Sequence, residues 1–322
     1  MSFNNIFVNA RRDLHYLNKN YAYNALFLLV INLLAFHFIP RSEFSLQLWH
    51  LFVPLVAIPF AWSVSSLIHN AAHGNIFGSW INRIAGELCG LALFYGLPSF
   101  ALIHILHHKM PDEDGDPVSP KGMSFLKFAF APNRYVKKKT VQYQRELFGD
   151  NPAFERTMTL QNIGFNINYL LRVSFWYFLL GPELFLVYQI PFIISSVLIL
   201  AHINYINHRN LPDGSVEVVN YNHNLYYKVA NFFSFGGYYH KAHHLNQKLF
   251  NPQRAVDNGT RMFTLGPRLE VEVQGIPEFE IDPLNPKQKL YRFLKVDTVW
   301  GEAEKHKLQK KNAGGMRVFS MP

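Results

Sequence analysis

Nine of the fifteen histidines fall into four short clusters, His69-x-x-x-His73, His104-x-x-His107-His108, His208 and His240-x-x-His243-His244. At this histidine frequency a His-x-x-His-His triplet is expected by chance only about 0.03 times, and the chain has two. On a helical turn the i, i+3 and i+4 spacings put the imidazoles on one face, where neutral ring nitrogens can converge on a cation. An all-nitrogen set suits iron, copper or zinc, whereas magnesium and calcium want oxygen. Zinc sites use three or four protein ligands, so nine imidazoles overshoot one zinc and fit two ions with four or five nitrogens each. A paired redox metal can divide the work of O₂ reduction, and iron chemistry normally breaks an unactivated C–H bond. The other six histidines (His15, His37, His50, His202, His223, His306) lack such spacing and read as structural or solvated.

The elements that must position these clusters are oily. Apolar residues make up 49% of the 322 and charged residues 16%, the apolar end for a soluble protein. Residues 22–39 and 48–68 carry no acidic or basic side chain and approach the roughly 20 residues of a spanning helix. Two more candidates, 167–181 and 183–201, are divided by Gly181-Pro182, a turn signal between antiparallel helices. Arg172 and Glu183 then need helix ends or an interior face. A fifth stretch, 84–103, holds Glu87, Gly86, Gly90, Gly96 and Pro98. Ligands must share one side of the bilayer to meet. Four spans put every cluster on the side of the N-terminus and five do not, so 84–103 is expected to be re-entrant or interfacial.

Arg11, Arg12 and Lys19, then Arg134 and Lys137 to Lys139, and finally a basic C-terminal tail mark that side as cytoplasmic. The net charge of +9 then reads as this positive-inside signal plus attraction to anionic headgroups, not as nucleic-acid binding, for which no base-reading motif exists. The single Cys89 excludes an intramolecular disulfide and a thiolate cluster. The first 21 residues lack an apolar stretch followed by a cleavage site, so the first span is expected to be a retained anchor. Residues 1–255 read as the membrane domain with the histidines, and 256–322 as a cytosolic cap and tail. Asn258-Gly259-Thr260 matches a glycosylation acceptor but would face the cytosol. No internal repeat and no glycine-rich nucleotide loop is present, so electrons are expected from a partner.

His69-Asn70-Ala71-Ala72-His73-Gly74-Asn75-Ile76-Phe77, His104-Ile105-Leu106-His107-His108 leading into Asp112-Glu113-Asp114-Gly115-Asp116-Pro117, and His240-Lys241-Ala242-His243-His244 resemble the three histidine boxes of the membrane fatty acid desaturase superfamily. The likeness covers roughly residues 22–255. It implies an all-α fold: a four-helix membrane bundle whose cytosolic cap carries a non-haem diiron site for O₂-dependent oxidation of a long acyl chain. It makes His69, His73, His104, His107, His108, His240, His243 and His244 iron ligands. Asn204-x-x-x-His208 resembles the Asn-x-x-x-His element of acyl-CoA desaturases, which makes His208 a ninth ligand and Asn204 the holder of a metal-bound water.

Three residues separate the first box's histidines where acyl-CoA desaturases usually have four, and Asn204-Tyr205-x-x-His208 equally resembles an element of membrane alkane hydroxylases. The expected activity is thus acyl-lipid or acyl-CoA desaturation, with a hydroxylase or ketolase as the alternative and a histidine-rich metal transporter as a remote one. His240 stands where front-end desaturases have Gln, and no fused cytochrome domain is present. Asp112, Asp114 and Asp116 are candidates to hold the far nitrogens of the ligands. Gly236-Gly237, just before the third box, is expected to let backbone approach closely near the metals. Arg134 and Lys137 to Lys139 read first as lipid-facing charge and second as a dock for an acidic electron carrier, of ferredoxin, rubredoxin or cytochrome type, or for a thioester's phosphates.

Overall fold

The computed structural model describes residues 6–40, 43–76, 79–113, 115–130, 132–210, 216–257, 263–264 and 270–271. They divide into two compact units, Met1–Leu106 with Phe125–His202 and His107–Ser124 with Ile203–Pro322. The divisions fall inside two helices, Leu97–Lys109 and Ile190–Asn207.

The first unit is helical. It contains α1 (Ile6–Arg12), α2 (Tyr16–Phe38), a short 3₁₀ turn (Leu48–Phe52) entering α3 (Val53–His73), α4 (Ser79–Ala92) and the start of α5 (Leu97–Lys109). After these come α6 (Phe125–Phe130), α7 (Pro132–Phe148), α8 (Pro152–Leu184), a π turn (Phe185–Gln189) and most of α9 (Ile190–Asn207). Leu26, Phe27 and Leu33 of α2 are 64%, 57% and 61% exposed. A helix that is oily all round and still faces outward suits lipid and not water. Three helical stretches are long and apolar enough to cross a membrane: Tyr16–Phe38, Leu48–His73 and the 56-residue run Pro152–Asn207. At 1.5 Å per residue the last is about 84 Å long, far more than one crossing of a roughly 30 Å hydrocarbon core. It breaks where Gly181-Pro182 led one to expect, with Gly181 at φ 73° and ψ 168°. The 84–103 stretch is no straight helix: Trp80–Ala92 and Leu97–Lys109 meet at 100°.

Lipid tails give apolar helices no reason to associate, so small residues and interhelical hydrogen bonds must hold them. Ala57 and Ala61 of α3 are fully buried, in a core with Val64, Ile68, Ala71, Leu97, Ala101 and Phe192. Asn32 Nδ2 donates to Leu171 O (2.8 Å) and Asn168 Nδ2 to Tyr21 O (2.9 Å), joining α2 to α8. Trp62 Nε1 donates to Ser195 Oγ and Ser65 bonds Ser196, both at 2.8 Å, joining α3 to α9.

The second unit is built on loop and short elements. Its parts are the His107–Ser124 segment, an antiparallel pair β1 (His208–Asn210) and β2 (Val216–Val218), then α10 (Leu225–Phe233), α11 (His240–Leu245), α12 (Pro252–Asp257) and a minimal pair β3 (Phe263–Thr264) and β4 (Glu270–Val271). Asn224 caps α10 by accepting from Tyr227 N, as a side-chain acceptor at a helix start should. The fold is thus mainly helical, with two small strand pairs that periodicity did not reveal. Of the expected cap and tail, 256–322, all but 256–257, 263–264 and 270–271 lie outside the described residues, as do Asn258-Gly259-Thr260 and His306.

Candidate metal centre

In the first unit His73 sits in the last turn of a helix, where the exposed carbonyls make the negative end of the helix dipole and favour a cation. His69 and His73 occupy the end of α3, which stops at Gly74 in the left-handed conformation, φ 74°. His104 comes from α5. The three rings form one cluster, with centroids 5.1 Å (His69–His73), 4.4 Å (His69–His104) and 4.7 Å (His73–His104) apart. His73 Nε2 lies 2.7 Å from His104 Nε2.

The second unit contributes the other six. The ligand nitrogens of His107, His208, His240 and His244 all lie within 4.8 Å of one another, and these residues are 0%, 1%, 3% and 1% exposed. His240 Nε2 lies 3.0 Å from His208 Nε2 and 3.1 Å from His244 Nε2. Beside them His108 and His243 approach Nε2 to Nε2 at 2.9 Å.

Carboxylates set the protons of this tetrad. His107 Nδ1 is 2.8 Å from Asp116 Oδ2 and His208 Nδ1 is 2.5 Å from Asp112 Oδ2. An ionised carboxylate only accepts, so each Nδ1 carries the hydrogen and each Nε2 presents a bare lone pair. Facing Nε2 atoms at 3.0–3.1 Å need either a proton or a cation between them, and carboxylate–imidazole–metal chains are the usual way to orient such ligands. The donor set therefore fits a metal ion of the nitrogen-preferring class. Burial alone would raise the Asp112 carboxyl, but His208, then His107 and the Ser119 hydroxyl, hold it below its ordinary 3.8. Burial, then the neighbouring imidazoles His240, His208, His107 and His243, keeps His244 well below its ordinary 6.5, in the neutral form that binds metal.

The loop after α5 is shaped for this task. Asp112 has φ 59°, a left-handed conformation that Asp tolerates better than most residues. Asp116 Oδ2 also accepts Asp112 N and its Oδ1 accepts Val118 N, both at 2.8 Å. Ser119 Oγ donates to Asp112 Oδ1 at 2.7 Å. Two of the three sequence-predicted aspartates thus meet box histidines, and Asp114 lies outside the described residues. Gly236, at φ 81°, precedes the third box, and a Cβ there would stand 2.7 Å from Gln253 N. The close approach expected near the metals is instead made to the start of α12.

Asn204 needs a correction of geometry. The sequence reading put Asn204 and His208 one helical turn apart, but α9 ends at Asn207 and His208 is the first residue of β1, paired with Val218. Asn204, inside α9, is half-buried, and its side chain makes no hydrogen bond among the described residues. Asn207, which no motif singled out, is fully buried, and neither of its amide atoms has a hydrogen-bond partner among the described residues. Its position beside His208 is the only signal the sequence offered. The side chain of Arg134 is outside the described residues, while Lys137 Nζ donates to Asn162 Oδ1 at 2.8 Å. Away from the boxes, His50 Nδ1 accepts Gln47 N at 2.8 Å, a structural role.

The family model for fatty acid desaturase matches residues 46–250, a window that contains all nine box histidines. The chain belongs to the fatty acid desaturase family. No curated protein and no solved structure matches it. As a fatty acid desaturase family member it is an oxidoreductase of the desaturase and hydroxylase type, and its buried histidine clusters are groups that can bind metal.

Proposed function

We propose that the protein is an O₂-dependent fatty acyl desaturase that places a double bond in a long acyl chain, lipid-linked or a thioester, using two iron ions held by the nine histidines. The observation that carries this reading is the carboxylate-backed tetrad of His107, His208, His240 and His244 inside the family match. Four imidazoles complete one ion's share, and five more box histidines remain for a second. Iron bound there would supply the O₂-reducing, C–H-breaking chemistry. The protein's own contributions are plainer. Asp112 and Asp116 fix the tautomers and ring directions of His208 and His107, burial excludes bulk water, and Asn204 is assigned a water held against the metal. Electrons come from an external carrier of ferredoxin, rubredoxin or cytochrome type.

The accompanying topology is a four-helix bundle with both termini and the histidines cytosolic. Its support is the Gly181 break inside the 56-residue run, which fits two crossings, and the 100° bend, which fits a stretch 84–103 that enters and leaves on one side. The competing reading, a hydroxylase or ketolase, is favoured by Asn204-Tyr205-x-x-His208. Mass spectrometry of host lipids after expression under ¹⁸O₂ separates the two. New unsaturated chains without label are expected. An ¹⁸O hydroxyl or keto product as the main species would assign the protein to the hydroxylases instead.

A further inference from the structure

The interior of the first unit holds a charged cluster that the metal chemistry does not use. Arg172 of α8 is 4% exposed. Among the described residues its guanidinium makes one long hydrogen bond, from Nη1 to Asn168 Oδ1 at 3.5 Å, and its Nε has no partner. The acid within electrostatic reach, Glu87, is taken by Arg83 at 2.8 Å, and Arg83 also donates to Asn20 Oδ1 at 2.7 Å. Two cations against one carboxylate leave a net positive charge at the buried Arg172, an expensive arrangement unless an anion or a set of acceptors meets it.

The shape beside Arg172 says where that anion would lie. Gly96 lacks a side chain, and the point its Cβ would occupy is 3.5 Å from Arg172 Nη2 and 3.7 Å from Asn24 Nδ2. Two donors thus flank the space a side chain would take at Gly96, beside Pro98, and among the described residues the side chain of Asn24 makes no hydrogen bond. Arg172 is nine residues before the Gly181 break, about 14 Å along the helix and hence near mid-depth of a roughly 30 Å core. Ionisable groups at that depth are rare and mark ligand or ion sites.

We propose that the notch formed by Gly96, Asn24 and Arg172 binds the oxyanion of an amphiphile, either a lipid phosphate or a fatty-acid carboxylate. A planar guanidinium with free N–H groups matches both. This site stands apart from the metal reading, because it needs no iron to be filled.

The test is native mass spectrometry of the full-length, metal-stripped protein in detergent at pH 8, with four probes: dioleoylphosphatidylglycerol, dioleoylglycerol, oleate and oleyl alcohol. The wild type should retain the anionic member of at least one pair about tenfold more than its neutral counterpart, the scale of one charge-assisted contact. Preference for phosphatidylglycerol alone assigns a lipid headgroup, preference for oleate alone a free acid, and preference for both a general oxyanion site. Arg172→Gln should remove the preference. Gly96→Ala should remove it too, by filling the notch at ordinary contact distances while keeping the cation, and it decides the matter if Arg172→Gln does not fold. Equal retention of charged and neutral probes by the wild type overturns the proposal. So does a preference that survives in folded Gly96→Ala.

Discussion

Replacing Asp112 with Asn isolates one charge. Asn matches the volume of Asp and shares its tolerance of the left-handed backbone found there, φ 59°, so the loop should keep its course. What changes is the 2.5 Å contact to His208 Nδ1, in which both residues are at least 96% buried. A hydrogen bond to a charged group contributes about 1.5–3 kcal/mol. The amide oxygen keeps an acceptor, so roughly half of that, about 0.75–1.5 kcal/mol, is lost from the metal-bound state, which corresponds to about four- to twelvefold weaker retention. Asp112→Ala also strands the Ser119 hydroxyl, 2.7 Å away, and strains the backbone, so about 100-fold is expected. The assay is competition for iron with a chelator series, read alongside a thermal melt that confirms folding. Iron retention within twofold of wild type in folded Asp112→Asn would refute the claim that this carboxylate orients a ligand.

His240→Ala should release iron and abolish activity, since His240 Nε2 faces two other box-histidine nitrogens, while His50→Ala, which loses the bond from Gln47 N and the ring contact with Trp49, should keep activity at a cost of about 1–2 kcal/mol in stability; equal loss of activity in both would mean the boxes are not special. In metal-stripped protein His244 is held below 6.5 by burial and by its neighbours. Below about pH 6.5 the unfolded chain therefore takes up a proton at this site that the fold resists, a loss that His107, raised against its burial by Asp116, offsets within the same tetrad; folded His244→Gln should lose less melting temperature than the wild type between about pH 7.5 and pH 5.5, and an equal or larger loss contradicts this. For topology, single cysteines replacing the exposed Lys19 and Lys138 in a Cys89→Ala background should label from the cytosolic face and one replacing exposed Phe44 from the other, and labelling of all three from one face would rule out four spans.

The box histidines were legible because metal binding needs particular residue types at helical spacings, and neither substitutes easily. Asp112 and Asp116 were legible for the same reason, as acids just downstream of the second box, though nothing in the sequence assigned Asp112 to His208 and Asp116 to His107. That assignment depends on a loop in which Asp112 turns left-handed and Asp116 also ties down two backbone N–H groups. The apolar stretches foretold helices, and Gly181-Pro182 foretold the break. The strand at His208 was hidden because three paired residues carry no period to detect. Asn207 was hidden because burial of one amide at a helix end is a property of packing, not of local pattern. Gly96 read only as a weak point in an apolar stretch, and its role as the floor of a notch needs Asn24 and Arg172, which lie far away in sequence.

Metal analysis of the purified protein after iron-replete expression tests the central claim most directly. Nine histidines, four of them with ligand nitrogens within 4.8 Å of one another, predict about two iron atoms per chain, falling to about one or fewer in His107→Ala. A wild-type stoichiometry near one, or zinc in place of iron, would contradict the diiron account.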